Sequence, residues 1–129
     1  MLLDSTFLIH LEKERKTGRY GPASQFLDRC NKNEILRISI ISAGEFYAGT
    51  IHPADAVRFL NNFRRLPVNE QLAREAGRLD REQRAKGKRL GENDNWIVAT
   101  ARLHRMTLVT NERHFAGVRG LKIVRYSTL

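Results

Sequence analysis

The first nine residues, Met1-Leu-Leu-Asp-Ser-Thr-Phe-Leu-Ile9, constrain the chain more than any other stretch. A very short apolar strand runs into one carboxylate, Asp4, then two hydroxyls, Ser5 and Thr6, then apolar residues at helical pitch. A strand that stops at an Asp and turns at once into a helix sets that Asp on the rim of a sheet. In open parallel α/β sheets that rim is where ligands bind. Asp, Ser and Thr are also good helix N-caps, so on this stretch alone capping and ligand binding both stand.

The rest of the chain keeps alternating strand and helix. A helix from Ser5 to about Arg15 precedes a loop, Thr17 to Pro22, rich in Gly and closed by Pro. Ala23 to about Asn31 reads as a second helix, with Phe26, Leu27 and Cys30 spaced for a buried stripe. Ile35 to Ile41 is nearly all apolar and β-branched, as a strand covered on both faces should be. Ser42 then opens a helix to about Gly49, and Ser42-x-x-Glu45 has the form of a capping box. A further helix starts at His52-Pro53, with Val57, Leu60 and Phe63 on its apolar face, and ends at Arg64-Arg65. Leu66-Pro67-Val68 reads as an edge strand, because its Pro cannot donate to a ladder.

Asn69 to about Lys86 is the longest helix, with Leu72, Ala76 and Leu79 buried and Arg74, Arg78 and Arg81 roughly opposite. A basic, glycine-containing loop from Ala85 to Gly91 leads to a helix opened by Glu92-Asn93-Asp94. Thr107 to Thr110 and Leu121 to Tyr126 are the last strands, with a turn or short helix at Asn111 to Phe115. The alternation predicts one α/β domain over residues 1–129: a three-layer α/β/α fold around a central, mainly parallel sheet of about five strands.

Charge narrows the function. Lys and Arg total 23 against 14 Asp and Glu, a formal net of +9, which suits a polyanionic partner such as nucleic acid or an acidic protein. A lone cysteine, Cys30, excludes a disulfide within the chain and fits a reducing cytoplasm. No run approaches the roughly 18 apolar residues of a membrane span. Polar residues from His10 to Lys16, and Asp4 before them, are unlike a secretory signal. A soluble cytoplasmic protein is expected.

In this basic chain, acids mark the junctions. Asp4 follows the first strand, Glu45 follows the second, Glu112 follows the strand at Thr107, and Asp94 begins the helix feeding that strand. Parallel strands end on one edge, so Asp4, Glu45 and Glu112 should meet there. A right-handed crossover allows Asp94 to join them. Crowded carboxylates repel one another unless a cation intervenes. The four histidines, His10, His52, His104 and His114, show no paired ligand spacing, so the donors are oxygens and the expected ion is Mg²⁺ or Mn²⁺. Such an ion suits phosphodiester hydrolysis by water. Asp4 and Asp94 are the expected principal ligands, with Glu45 and Glu112 completing the site directly or through water. Each acid also has an ordinary reading: a cap, a helix-start acid or a surface residue.

The segments Leu3-Asp4-Ser5-Thr6, Ser42-x-x-Glu45, Gly91-x-Asn93-Asp94-x-x-Ile97-x-Ala99 and Leu108-Val109-Thr110-x-Glu112-x-x-Phe115 resemble the PIN domain. Their order and separations are similar to those of VapC-type toxins of type II toxin–antitoxin pairs. The resemblance implies a Mg²⁺- or Mn²⁺-dependent endoribonuclease, a homodimer, held inactive by a cognate antitoxin in a hetero-oligomer. It places Asp4, Glu45 and Asp94 on the family's core acids and Glu112 on a fourth position where Asp is common. Ser5 or Thr6 and Thr110 fall on supporting hydroxyl positions, and Asn93 on a frequent polar neighbour. From its cations and glycines, the loop residues Lys86, Lys88 and Arg89 are candidates for RNA contact. Two other readings stand beside this one: a non-catalytic basic module that binds nucleic acid or antitoxin, and a DNA-directed nuclease. Trp96 fits packing or a dimer contact better than base stacking. Phe46 and Tyr47 fit either the core or an interface.

Overall fold

The computed structural model describes residues 1–127. Five strands are present: β1 (Leu2–Leu3), β2 (Arg37–Ser39), β3 (Arg64–Leu66), β4 (Thr107–Val109) and β5 (Lys122–Val124). They form one sheet in the order β3-β2-β1-β4-β5 with every pairing parallel. Six helices cover it: α1 (Ser5–Thr17), α2 (Pro22–Arg29), α3 (Ile40–Gly49), α4 (Pro53–Leu60), α5 (Glu70–Ala85) and α6 (Glu92–Leu103), with a one-turn 3-10 helix at Arg113–Phe115.

Both residues of β1 are fully buried, because the strand lies mid-sheet between two helical layers. Successive side chains point to opposite faces. Leu3 and Val109 enter a core with Phe7, Leu11, Ala43 and Leu60, beneath α1 to α4. Leu2 and Leu108 enter the other, with Leu72, Leu79, Ile97 and Val98, beneath α5 and α6. The register pairs Leu2 with Leu108 and Leu3 with Val109, so the two strands share this division. Slipping either strand by one residue would swap its residues between the cores.

Three local details differ from the sequence expectation. The second strand ends at Ser39, whose hydroxyl caps α3 by accepting from the Ser42 amide. Ser42 is therefore buried inside the helix rather than at its cap, and the proposed capping box to Glu45 does not form. The third strand is Arg64–Leu66, so Pro67 follows it instead of interrupting it; it remains a sheet edge, as Pro anticipated. Val57 is 46% exposed, and Ala56 takes the buried place on α4 beside Leu60.

Chain direction across the sheet fixes where a site can be. From β1 the chain moves outward through β2 to β3, then returns to the other side of β1 for β4 and β5. The reversal falls between β1 and β4, and the crevice beyond the strand ends at such a switch point is a favoured ligand site.

Candidate active site

Asp4 leaves β1 at that switch point and caps α1, its Oδ1 accepting from the Phe7 amide at 2.8 Å. Its own amide donates to the Val109 carbonyl of β4 at 3.2 Å, which ties the two strand ends together. The residue is 5% exposed. Burial pushes its carboxyl above the ordinary range. Hydrogen bonds from the Thr110 hydroxyl and the Phe7 amide oppose that rise, and the nearby charges of Glu112 and Asp94 add to it.

Thr110, fully buried after β4, couples two of the acids. Its hydroxyl bonds Asp4 and also accepts from the Glu112 amide at 3.1 Å. Glu45 comes from the middle of α3. Its Oε1 accepts from the Ser5 hydroxyl at 2.5 Å and its Oε2 from the Asn93 amide at 3.4 Å. Thus both carboxylate oxygens are oriented by residues adjacent to other acids: Ser5 beside Asp4, and Asn93 beside Asp94. Thr6 is half-buried in the first turn of α1 and takes no part in these bonds.

Asp94 stands in the first turn of α6, half-buried. Its carboxyl is also raised, chiefly by burial. His114 lowers it through a hydrogen bond and its charge, whereas Glu45 and Glu112 raise it. Across the rim, then, Asp4 feels the charges of Glu112 and Asp94, and Asp94 those of Glu45 and Glu112. Among the described residues, however, no three His, Cys, Asp or Glu side chains form a group tight enough to hold a metal ion by themselves. The carboxylates converge on one edge without closing into a cage.

His114 is the residue at this rim that sequence reasoning set aside. Its Nε2 lies 3.5 Å from Asp94 Oδ2 and its Nδ1 3.2 Å from Glu112 Oε2, so the ring spans two carboxylates. The signal was local: the one-turn helix after β4 brings a residue two positions beyond Glu112 back to the same edge. Among the described residues, His114 alone of the histidines pairs with an acid.

The basic loop between α5 and α6 is anchored rather than loose. Buried Gln83 donates to the Lys88 carbonyl at 3.1 Å, and Gly87 takes a left-handed φ of +67° to make the turn. Arg89 pairs with Asp80 at 2.9 Å, while Lys86 and Lys88 are exposed with no acidic partner among the described residues. Trp96 is half-buried and packs on the α5–α6 core; Phe46 is buried in the other core and stacks on Phe59, leaving Tyr47 exposed.

A family model described as the PIN domain matches residues 1–121. The chain belongs to the PIN domain family. It is 35% identical over 103 residues to Ribonuclease VapC10 of Mycobacterium tuberculosis, covering 78% of this chain and 77% of that one. Among solved structures it is similar to a toxin–antitoxin complex from Klebsiella pneumoniae, at 28% identity and a TM-score of 0.75, covering 99% of this chain and 98% of that one. It also matches the fold of VapBC2 from Rickettsia felis, solved bound to a DNA fragment from its promoter, with a TM-score of 0.82, 21% identity and 96% of each chain covered. As in the sequence reading, the fold is three-layered with a parallel five-stranded sheet. No helix among the described residues is long and apolar enough to cross a membrane.

Proposed function

We propose that this PIN domain is the toxin ribonuclease of a toxin–antitoxin pair, hydrolysing RNA phosphodiester bonds at the rim of Asp4, Glu45, Asp94 and Glu112 with Mg²⁺ or Mn²⁺. The observation that carries the reading is the convergence of four carboxylates, from four separate segments, at the switch point of a basic protein, with two of them raised in part by their neighbours.

The donor set fits a hard cation, since the oxygens belong to carboxylates and hydroxyls. An open rim also fits Mg²⁺, which keeps several waters and commonly takes only one or two protein carboxylates beside substrate phosphate. Asp4 and Asp94 would hold the ion, with Glu45 and Glu112 reaching it directly or through water. Bound there, a divalent ion supplies water of lowered pKa and offsets charge on the phosphoryl oxygens. Asp4 is held in place by the Phe7 amide and the Thr110 hydroxyl. Glu45, oriented by Ser5 and Asn93, is aimed to accept a proton or order a water at the rim. Water is the nucleophile in this reading, and no residue forms a covalent intermediate.

Lys86, Lys88 and Arg89, on the loop leading to α6, would contact the RNA backbone. The similar toxin–antitoxin complex from Klebsiella pneumoniae supports a cognate antitoxin as partner; a homodimer of this chain within that assembly is part of the same proposal. The test is cleavage of a mixed RNA pool and matched DNA in Mg²⁺ or Mn²⁺. RNA should be cut and DNA spared, and Asp94→Asn should abolish the cutting. Metal-indifferent RNA binding without turnover would instead support a binding module.

A further inference from the structure

α1 carries a second polar feature that the carboxylate rim does not use. Thr6, His10, Lys13 and Thr17 recur at steps of three and four residues, so they form one ridge along the helix. At about 1.5 Å per residue, His10 lies ~6 Å and Lys13 ~10 Å along the axis from Thr6. The far end of the ridge opens into a hollow of about 290 Å³ lined by His10, Lys13, Thr17, Arg19 and Ser127.

The hollow presents donors and positive charge. Tyr126, 1% exposed and edge-on to Phe7, places its hydroxyl 2.7 Å from His10 Nδ1. Burial pushes that hydroxyl far above its ordinary pKa, and the nearby Asp4, Glu14 and Glu112 charges add to the rise, so it stays protonated. Tyr126 and His10 Nδ1 thus share one hydrogen bond, which fixes the ring and leaves Nε2 outside it. His10 Nε2 is therefore open to a ligand, and donates to it in the form that carries its hydrogen there. Lys13 and Arg19 are exposed and have no acidic partner among the described residues. Glu14 also lines the wall, but its oxygens accept from the Ala23 and Ser24 amides at 3.0 and 2.8 Å. Its charge is thereby committed to the first turn of α2.

We propose that this hollow is a phosphate subsite for the substrate RNA strand, which runs along the α1 ridge from the carboxylate rim to His10, Lys13 and Arg19. The inference rests on the ribonuclease reading and adds to it a fixed path for the strand. A phosphodiester fits the hollow better than a base does, because the wall offers His10 and two cations but no Phe, Tyr or Trp face.

Binding of a fluorescein-labelled oligoribonucleotide to the full chain in EDTA, titrated with salt, tests the subsite. Two lost phosphate contacts in the Lys13→Gln/Arg19→Gln variant should reduce the slope of log K against log[salt] by about 1.4. His10→Leu should weaken binding about tenfold, as loss of a charge-assisted hydrogen bond does. Tyr126→Phe should weaken it less, and should add nothing in the His10→Leu background if Tyr126 acts only by orienting the ring. Wild-type binding with an unchanged slope in the double variant would overturn the subsite and leave the ribonuclease reading intact. A wild type that neither binds nor cuts RNA would remove both. Loss of polyglutamate binding with RNA binding untouched would reassign the hollow to an acidic protein segment and overturn the proposal.

Discussion

Asp4 and Glu14 stand near opposite ends of α1 and are buried to nearly the same degree, 5% and 7% exposed, yet their acidities move in opposite directions. Burial is the largest influence on both and pushes both upward. At Glu14 it is outweighed by the Ser24 hydroxyl and by the Ser24, Ala23 and Gly21 amides, so the carboxyl ends below its ordinary value. Glu14 sits on the N-terminus of α2, where amides and dipole both favour an anion. Asp4 has one amide and one hydroxyl, and it faces Glu112 and Asp94. Burial alone does not separate the two carboxylates. What separates them is whether the negative charge is answered by the chain itself. The α1–α2 corner answers its carboxylate; the rim leaves charge for something else to balance.

That contrast predicts its largest effect on turnover. Asp4→Asn and Asp94→Asn should each slow RNA cleavage by at least about a hundredfold, the scale of losing several kcal/mol of transition-state stabilisation. Glu14→Gln, at a position that lines the proposed phosphate hollow but not the rim, should keep the wild-type rate per folded molecule at saturating RNA. Parallel initial-rate assays in Mg²⁺, normalised to folded protein by circular dichroism, decide it. Equal loss in both sets would erase the distinction between the two regions.

The next effect reverses the ranking. Glu14→Gln removes a charge that accepts two buried or partly buried amide bonds, so it should cost about 2 kcal/mol of unfolding free energy. Gly21→Ala tests the same corner from the other side. A Cβ there would lie 2.6 Å from Glu14 Cδ, so the carboxylate must shift off the amides, at about 1–3 kcal/mol. Urea midpoints with unchanged m-values would report both losses as stability. A neutral result for Gly21→Ala would mean that the Glu14 cap is not held tightly.

The two regions were unequally legible in the sequence. Asp4 can be read because everything that positions it is contiguous: the strand before it and the helix it caps. Glu112 is legible in the same way, next to Thr110 at the end of an apolar strand. Glu45 is less so, because Ile40 and Ile41 look like strand residues. Ser39 decides the matter by capping α3 one turn earlier, which leaves Glu45 in the helix interior. β3 begins at Arg64 because an edge strand tolerates exposed arginines that a hydrophobic pattern does not flag. The Glu14 cap is beyond sequence reading: its partners lie nine and ten residues onward, across a turn whose angle is set by packing. His114 was hidden for a related reason, since only the one-turn helix after β4 returns it to Asp94.

The smallest effect concerns stability without metal. A carboxyl whose folded pKa is raised binds more protons folded than unfolded, so its ionisation weakens the fold as pH rises from the ordinary value of 3.8 through the raised one. Asn is as good an N-cap as Asp, so Asp4→Asn keeps the Phe7 bond while removing the repelled charge. The variant should melt slightly above wild type at pH 7 in EDTA, and the gain should vanish below pH 3.8. Glu14 runs the other way. Its lowered carboxyl contributes stability that is full above its ordinary value of 4.5 and is lost as pH falls through the folded value, so Glu14→Gln should approach wild type in acid. Mn²⁺ closes the comparison. It should stabilise the wild type by mass action, by about 2.7 kcal/mol at a hundredfold excess over Kd, so that its melting temperature rises while that of Asp4→Asn stays where it was. A wild type indifferent to Mn²⁺, with Asp4→Asn no more stable than its parent, would make Asp4 a helix cap like any other.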